Sequence, residues 1–224
     1  MFFYILKFEL LKILADLRSV TNNGIFLVLA ALIFIFSVDS DLSDNKIYGV
    51  GIILSLVILA IIMDLDLLFR KDYISGFLEQ IFFVDMPIGT FLLAKYFSFL
   101  MVTILVKMVL LPFILYGFGL FTPLIIYFLL ILLLSLPLIC AIIFFASLLS
   151  FKLEGRAYLV FLIALPLLVV PIIMVMAGMN EIYVNINITS WFDYVEYLIY
   201  LNLIFLPLIY FLSNSLFYYL IRNH

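Results

Sequence analysis

PLIIYFLLILLLSLPLICAIIFFASLLSF, running from Pro123 to Phe151, contains no charged side chain. Crossing the hydrocarbon core of a bilayer takes ~20 mainly apolar residues, and this stretch exceeds that length. A helix that is apolar on every side has to be surrounded by protein or by lipid. The rest of the chain decides between the two. Of its 224 residues, 69% are hydrophobic and 11% are charged. A soluble domain is about 25% charged and roughly half apolar. No soluble core could hide so much apolar surface, so the solvent is lipid.

Five further segments read as membrane spans around Pro123–Phe151. They are Thr21 to Val38, Ile47 to Phe69, Tyr96 to Gly119, Ala157 to Met179 and Tyr197 to Ile221. The first opens on Asn22, Asn23 and Gly24; the second carries Asp64 and Asp66 near its end; the third is interrupted by Lys107. In lipid such segments are helices, because a helix satisfies its own backbone hydrogen bonds. The short alternating runs of a barrel are absent. The fold class predicted is therefore all-α and polytopic, with six transmembrane helices in one domain over residues 1–224. That domain divides into an interfacial helix over 1–18, a cytoplasmic segment over 70–88 and an outer loop over 180–196.

Basic residues set the orientation. Lys7, Lys12, Arg18, Arg70, Lys71, Lys95, Lys152, Arg156 and Arg222 all fall on one side of a six-span topology. Lys46 alone lies on the other, among Asp39, Asp41 and Asp44. The positive-inside rule then predicts that both termini lie inside. The N-terminal stretch is not read as a cleavable signal, since Lys7, Glu9, Lys12 and Asp16 interrupt it and no small-residue cleavage site follows. A net charge of −3 suggests no nucleic-acid partner.

Catalytic and cofactor motifs are missing. There is no phosphate-binding G-x-x-x-x-G-K loop, no H-E-x-x-H and no G-x-S-x-G. The one histidine, His224, is terminal, so haem ligation by two histidines within the spans is excluded. Met174, Met176 and Met179 read as flexible filler in a helix interface. Cys140 stands alone and cannot form an internal disulfide. The chain is therefore not expected to be an enzyme, nor to bind a cofactor or metal directly.

Three places carry unusual polarity. Phe2 to Arg18 reads as a helix lying in the inner interface and anchoring the first span, with Glu9, Lys12 and Asp16 on one side and Lys12–Asp16 as an i,i+4 pair. The outer loop contains Trp191 and several tyrosines, residues suited to an interface. The third and most informative place is Asp66-Leu-Leu-Phe-Arg-Lys-Asp-Tyr-Ile-Ser-Gly-Phe-Leu-Glu-Gln-Ile81. Asp66 and Arg70 are spaced for an ion pair at the end of the second span. Ser75-Gly76 breaks the helix, Phe77 to Phe83 forms a second short one, and Asp85, Met86 and Pro87 end it, with Pro87 starting the next element. A short helix with apolar residues hanging below the membrane suits a partner protein with a groove; lying flat on lipid is the alternative. Lys107 sits too deep to snorkel, at a cost of ~3 kcal/mol at mid-membrane, so it faces protein or water. It either lines a path or is satisfied by carbonyls and hydroxyls of a neighbouring helix. Asp64 is its partner only if the second span is displaced along the membrane normal.

Here the sequence resembles the CcmB family, the haem exporter B permeases of the cytochrome c maturation ABC transporter. The resemblance rests on the pattern F-R-x-D-x-x-x-G-x-L-E-Q followed by Pro and L-A-K. In this chain those positions are Phe69, Arg70, Asp72, Gly76, Leu78, Glu79, Gln80, Pro87, Leu93, Ala94 and Lys95. Lys7-Phe-Glu-Leu, Met101-Val-Thr and Pro112 add to it, whereas Lys107 has no counterpart in the motif. The resemblance implies two copies of this subunit joined to a separate ATPase (CcmA-like) and to CcmC-like and CcmD-like membrane proteins. ATP is used by the partner, and haem is handled by the complex, which releases the haem-loaded chaperone CcmE on the outer side. The implied ATPase-coupling residues are Arg70, Asp72, Gly76, Phe77, Leu78, Glu79, Gln80 and Pro87. The implied location is the bacterial inner membrane or the mitochondrial inner membrane. The alternatives are an ABC-2-type permease for another substrate and a non-transporting scaffold of a haem-handling complex.

Overall fold

A computed structural model of the chain describes residues 2–37, 46–64, 68–83, 87–120, 124–150 and 156–222. These residues are helical almost throughout, and no strand occurs among them. The helices are α1 (Phe2–Ala15), α2 (Leu17–Ser37), α3 (Lys46–Met63), α4 (Arg70–Ile74), α5 (Phe77–Phe83), α6 (Ile88–Gly117), α7 (Ile125–Ser150), α8 (Arg156–Asn180) and α9 (Ile188–Arg222).

The uncharged stretch that sets the fold class lies at the centre. Helix α7 is buried along most of its length, from Phe128 through Ser150, and α6, α8 and α9 pack around it. Pro137 interrupts its backbone ladder. Side chains from neighbouring helices add hydrogen bonds on either side of it. The Tyr96 hydroxyl donates to the Pro137 carbonyl at 2.8 Å, and the Asn202 amide donates to the Leu134 carbonyl at 2.9 Å. The outer helix faces are as apolar as the core: Phe36 is 84% exposed, Phe113 73% and Phe211 71%. Water would not tolerate such a surface, and a bilayer does.

Among the described residues, five helices are long and apolar enough to cross a membrane: Val20–Ser37, Ile88–Gly117, Ile125–Ser150, Leu162–Asn185 and Ile188–Tyr219. The sixth expected segment is shorter. Helix α3 has 18 residues, about 27 Å at 1.5 Å per residue, against a hydrocarbon core of ~30 Å.

Two helices begin earlier than hydropathy places them. Helix α6 starts at Ile88 rather than near Tyr96, and α9 at Ile188 rather than near Tyr197. In both cases charged residues depress the local hydropathy without stopping the helix. Lys95 is neutralised by carboxylates from other elements, and Glu196 accepts from Tyr200 one turn on, at 3.2 Å. The 180–196 connection is accordingly compact. A π-helical turn, Glu181–Asn185, is followed by Ile186 at φ 51°. A β-branched residue in that region costs about 1–2 kcal/mol, and here it reverses the chain. Asn187 then caps α9, its side chain accepting from the Ser190 N–H and the Thr189 hydroxyl. Trp191 is buried, its ring 5.0 Å from Tyr127.

Candidate functional site

The short helices fall where the sequence predicts them. Helix α4 closes at Ser75, whose hydroxyl donates to the Asp72 carbonyl at 3.1 Å. Gly76 follows at φ 70°. A Cβ there would meet no atom within 4 Å, so the demand for glycine is conformational rather than steric. Helix α5 then runs Phe77–Phe83, and Pro87, at φ −64°, caps α6.

Charges on α1 hold this turn. Ile5, Glu9 and Ile13 form the buried stripe of α1, at the i,i+4 spacing of one helix face, and that face packs on α6. Glu9 is 1% exposed and accepts from the Lys95 ammonium at 3.0 Å. Lys95 also donates to Asp72, which is 2% exposed and receives a second bond from Lys12. Lys12 in turn lies 4.0 Å from Glu9. Two ammonium groups and two carboxylates thus tie α1, α4 and α6 together. A fifth contact, Lys71 with Asp16, repeats the link at the exposed rim. Aromatic rings roof the cluster: the Lys95 ammonium stands 5.5 Å from the Phe69 ring and 5.4 Å from Phe91, and Lys12 stands 4.8 Å from Phe77. These are cation–π distances. Burying three charges, Glu9, Asp72 and Lys95, is affordable only because each meets an opposite one.

The predicted i,i+4 pair within α1 does not form, because both partners find carboxylates or amines on the turn instead. Lys12 binds Asp72, and Asp16 binds Lys71. Sequence reading puts Glu9, Lys12 and Asp16 on one side of the helix. That side meets the chain's own 70–95 region.

The other expected site residues divide by direction. Leu78 is buried, Phe77 and Gly76 are half-buried, and Asp72 points inward into the ion cluster. Arg70, Gln80 and Pro87 are exposed, and Ile74 beside them is 71% exposed. The Glu79 side chain and Asp66 lie outside what is described, and with Asp66 the expected Asp66–Arg70 pair.

Lys107 makes a second cluster. It is 1% exposed and donates to Asp64 at 3.1 Å, and Asp64 also accepts from the Asn23 amide. Its partner is therefore a carboxylate, where sequence reading favours carbonyls and hydroxyls. Lys107 lies 19 residues beyond Ile88, about 28 Å along α6. Asp64, the residue after the end of α3, is the carboxylate that reaches Lys107. Lys95, at the level of Asp72, is about 18 Å nearer the start of α6, 12 residues back at 1.5 Å each. Sequence reading names Asp64 as a conditional partner of Lys107 and does not single out Glu9, Lys95 and Asn23 as site residues. Their one signal was polarity inside apolar runs. Met179 is fully buried and Met176 packs on Gly51, as core residues.

The Glu9–Lys12–Asp72–Lys95 cluster joins α1, α4 and the start of α6 through ion pairs. A family model described as CcmB protein matches residues 1–211 of the chain. No curated protein matches it.

Proposed function

The chain belongs to the CcmB family, the membrane component of the haem-exporting cytochrome c maturation ABC transporter, and we propose that its Arg70–Pro87 segment is where a separate ATPase drives it. One observation carries this reading. The segment is fastened inside by the Glu9–Lys12–Asp72–Lys95 cluster and turns outward an apolar side chain, Ile74, between Arg70 and Gln80. An exposed isoleucine on a polar turn suits a protein groove. A force applied there passes through two short ion pairs into α6 rather than dissipating in a loose loop.

On this reading Arg70, Ile74, Glu79 and Gln80 meet the CcmA-like ATPase. Asp72, Phe77 and Leu78 position the segment, while Gly76 and Pro87 set its two corners. ATP is consumed on the partner and haem is handled by the complex, so this chain needs no catalytic residue of its own. A second copy and CcmC-like and CcmD-like proteins complete the assembly, in a bacterial or mitochondrial inner membrane. Helix α3 and the turn after it make the sixth crossing, and both termini lie on the ATPase side, in keeping with the distribution of Lys and Arg.

The test is retention of the ATPase when the chain is purified from membranes. Gly76→Pro, which cannot adopt φ 70°, and Ile74→Asp or Glu79→Arg are each expected to cut retention about tenfold or more. The variant chain should still insert. Unchanged retention in all three rules out docking at this segment. Deleting the chain is expected to abolish holo-cytochrome c, and normal levels would assign the permease to another substrate.

A further inference from the structure

Helix α9 is the least buried of the five long apolar helices. Down its outward face Asp193, Glu196, Tyr197 and Tyr200 follow at i, i+3, i+4 and i+7, and all four are exposed. Leu203, Ile204, Leu208 and Phe211 continue the same exposed stripe. Two contacts fix the level of the acids. The Trp191 ring lies 5.0 Å from Tyr127, in the first turn of α7, and Asn202 donates to the Leu134 carbonyl, in the third. Asp193 and Glu196 fall between those contacts. They therefore stand on the flank of the bundle, abreast of the first turns of α7. The 70–88 segment lies toward the opposite end, since Phe69 packs on Phe144 near the close of α7.

Carboxylates at that position call for a counter-charge. Trp191, Tyr194, Tyr197 and Tyr200 are aromatic residues of the kind that gathers at headgroup level, so the two acids face the headgroup layer. Glu196 accepts from the Tyr200 hydroxyl at 3.2 Å, a neutral donor. No Lys or Arg among the described residues pairs with either acid. The sequence from 157 to 221 contains no Lys, Arg or His at all. Lipid covers such a face poorly, because headgroup phosphates carry the same sign as the carboxylates. A second copy laid on this flank about a two-fold axis covers it worse, because it sets the same acidic patch against itself. A soluble basic protein would meet only the acids and leave the apolar stripe below them bare.

We infer that this flank of α9 docks a transmembrane helix of another subunit, one with Lys or Arg at the end that meets Asp193 and Glu196 and an apolar run alongside Leu203 to Phe211. The inference rests on the reading that further membrane subunits join the chain, and not on where the ATPase docks. The stripe has the length for it. Asp193 and Phe211 are 18 positions apart on one helix, about 27 Å at 1.5 Å each, against a hydrocarbon core of ~30 Å. The charge makes the face selective. Basic residues gather at the cytoplasmic ends of membrane helices, and on the six-span topology these acids lie at the outer end. A helix with a base there is uncommon, and two carboxylates pick it out by complementarity.

The experiment is site-specific photo-crosslinking in the complex purified from membranes. A benzophenone side chain is placed at Tyr197 or at Leu203, one at a time, and the adducts are sequenced by mass spectrometry. Both positions are expected to reach one segment of a different polypeptide, an apolar run with Lys or Arg at the end reached from Tyr197. Asp193→Lys combined with Glu196→Lys should lower the yield at Tyr197 about fivefold or more, the ratio for ~1 kcal/mol of charge contact. Asp193→Asn combined with Glu196→Gln, which keeps the shape of the exposed face, should lower it less but in the same direction. Retention of the ATPase in the same preparations should not change, which separates a failure on this flank from a failure of the coupling reading. Adducts with lipid only, adducts with a second copy of this chain, a partner segment without Lys or Arg, or yields indifferent to both charge variants would each overturn the inference.

Discussion

The two buried ion clusters use the same chemistry at different depths. Near the start of α6, Lys95 shares Glu9 and Asp72 with Lys12, which is about one-third exposed and reaches water. About 18 Å further along α6, Lys107 has, among the described residues, one carboxylate, Asp64, which the Asn23 amide supports. The first cluster is redundant and open at its rim. The second is fully buried, so the loss of Lys107 or Asp64 leaves the other's charge buried without its ion-pair partner. The comparison teaches that the shallow cluster can flex with a partner, whereas the deep one fixes where α3 ends.

The largest effect is therefore expected at Lys107. Lys107→Met should lower stability by about 3–5 kcal/mol, the cost of orphaning a buried ion, read as unfolding by steric trapping in micelles. Adding Asp64→Leu to it should recover most of that loss, since removing both partners of a buried pair is often close to neutral. If the double variant is no more stable than the single one, Asp64 is not the partner that matters. Lys95→Met should cost less, about 2–3 kcal/mol, because Asp72 keeps Lys12. A loss at Lys95 equal to that at Lys107 would erase the difference between the clusters. On the coupling reading, Lys95→Met should also keep the ATPase bound while reducing holo-cytochrome c, which separates transmission from docking. The smallest effect belongs to Lys71→Ala at the exposed rim, about 0.5 kcal/mol at low salt and vanishing near 1 M.

Much of the local structure of the 70–88 segment was legible in the sequence. Glycine at 76, proline at 87 and the apolar run between them predicted the break, the short helix and the restart, because φ > 0 and a missing N–H are local demands. The motif from Phe69 to Lys95 pointed to the family. The charges were harder. Lys95 looked like a loop residue since hydropathy charges each ionic side chain its full cost in isolation. Glu9 lies 86 positions away in sequence and cancels that cost only after α1 folds back. Asp64 and Lys107 are separated by 43 positions, and their meeting depends on how far α3 descends beside α6.

From the amino-acid sequence alone came the solvent, the helices, the corners of the turn at Gly76 and Pro87, and the side on which the basic residues gather. These follow from composition and backbone conformation, which act residue by residue. The tertiary structure decided which charges share a site, how deep α3 reaches, and that α1 clamps the turn. Those depend on the rotation and axial offset of packed helices, and in an apolar sequence with so few charges only contact between distant residues sets them.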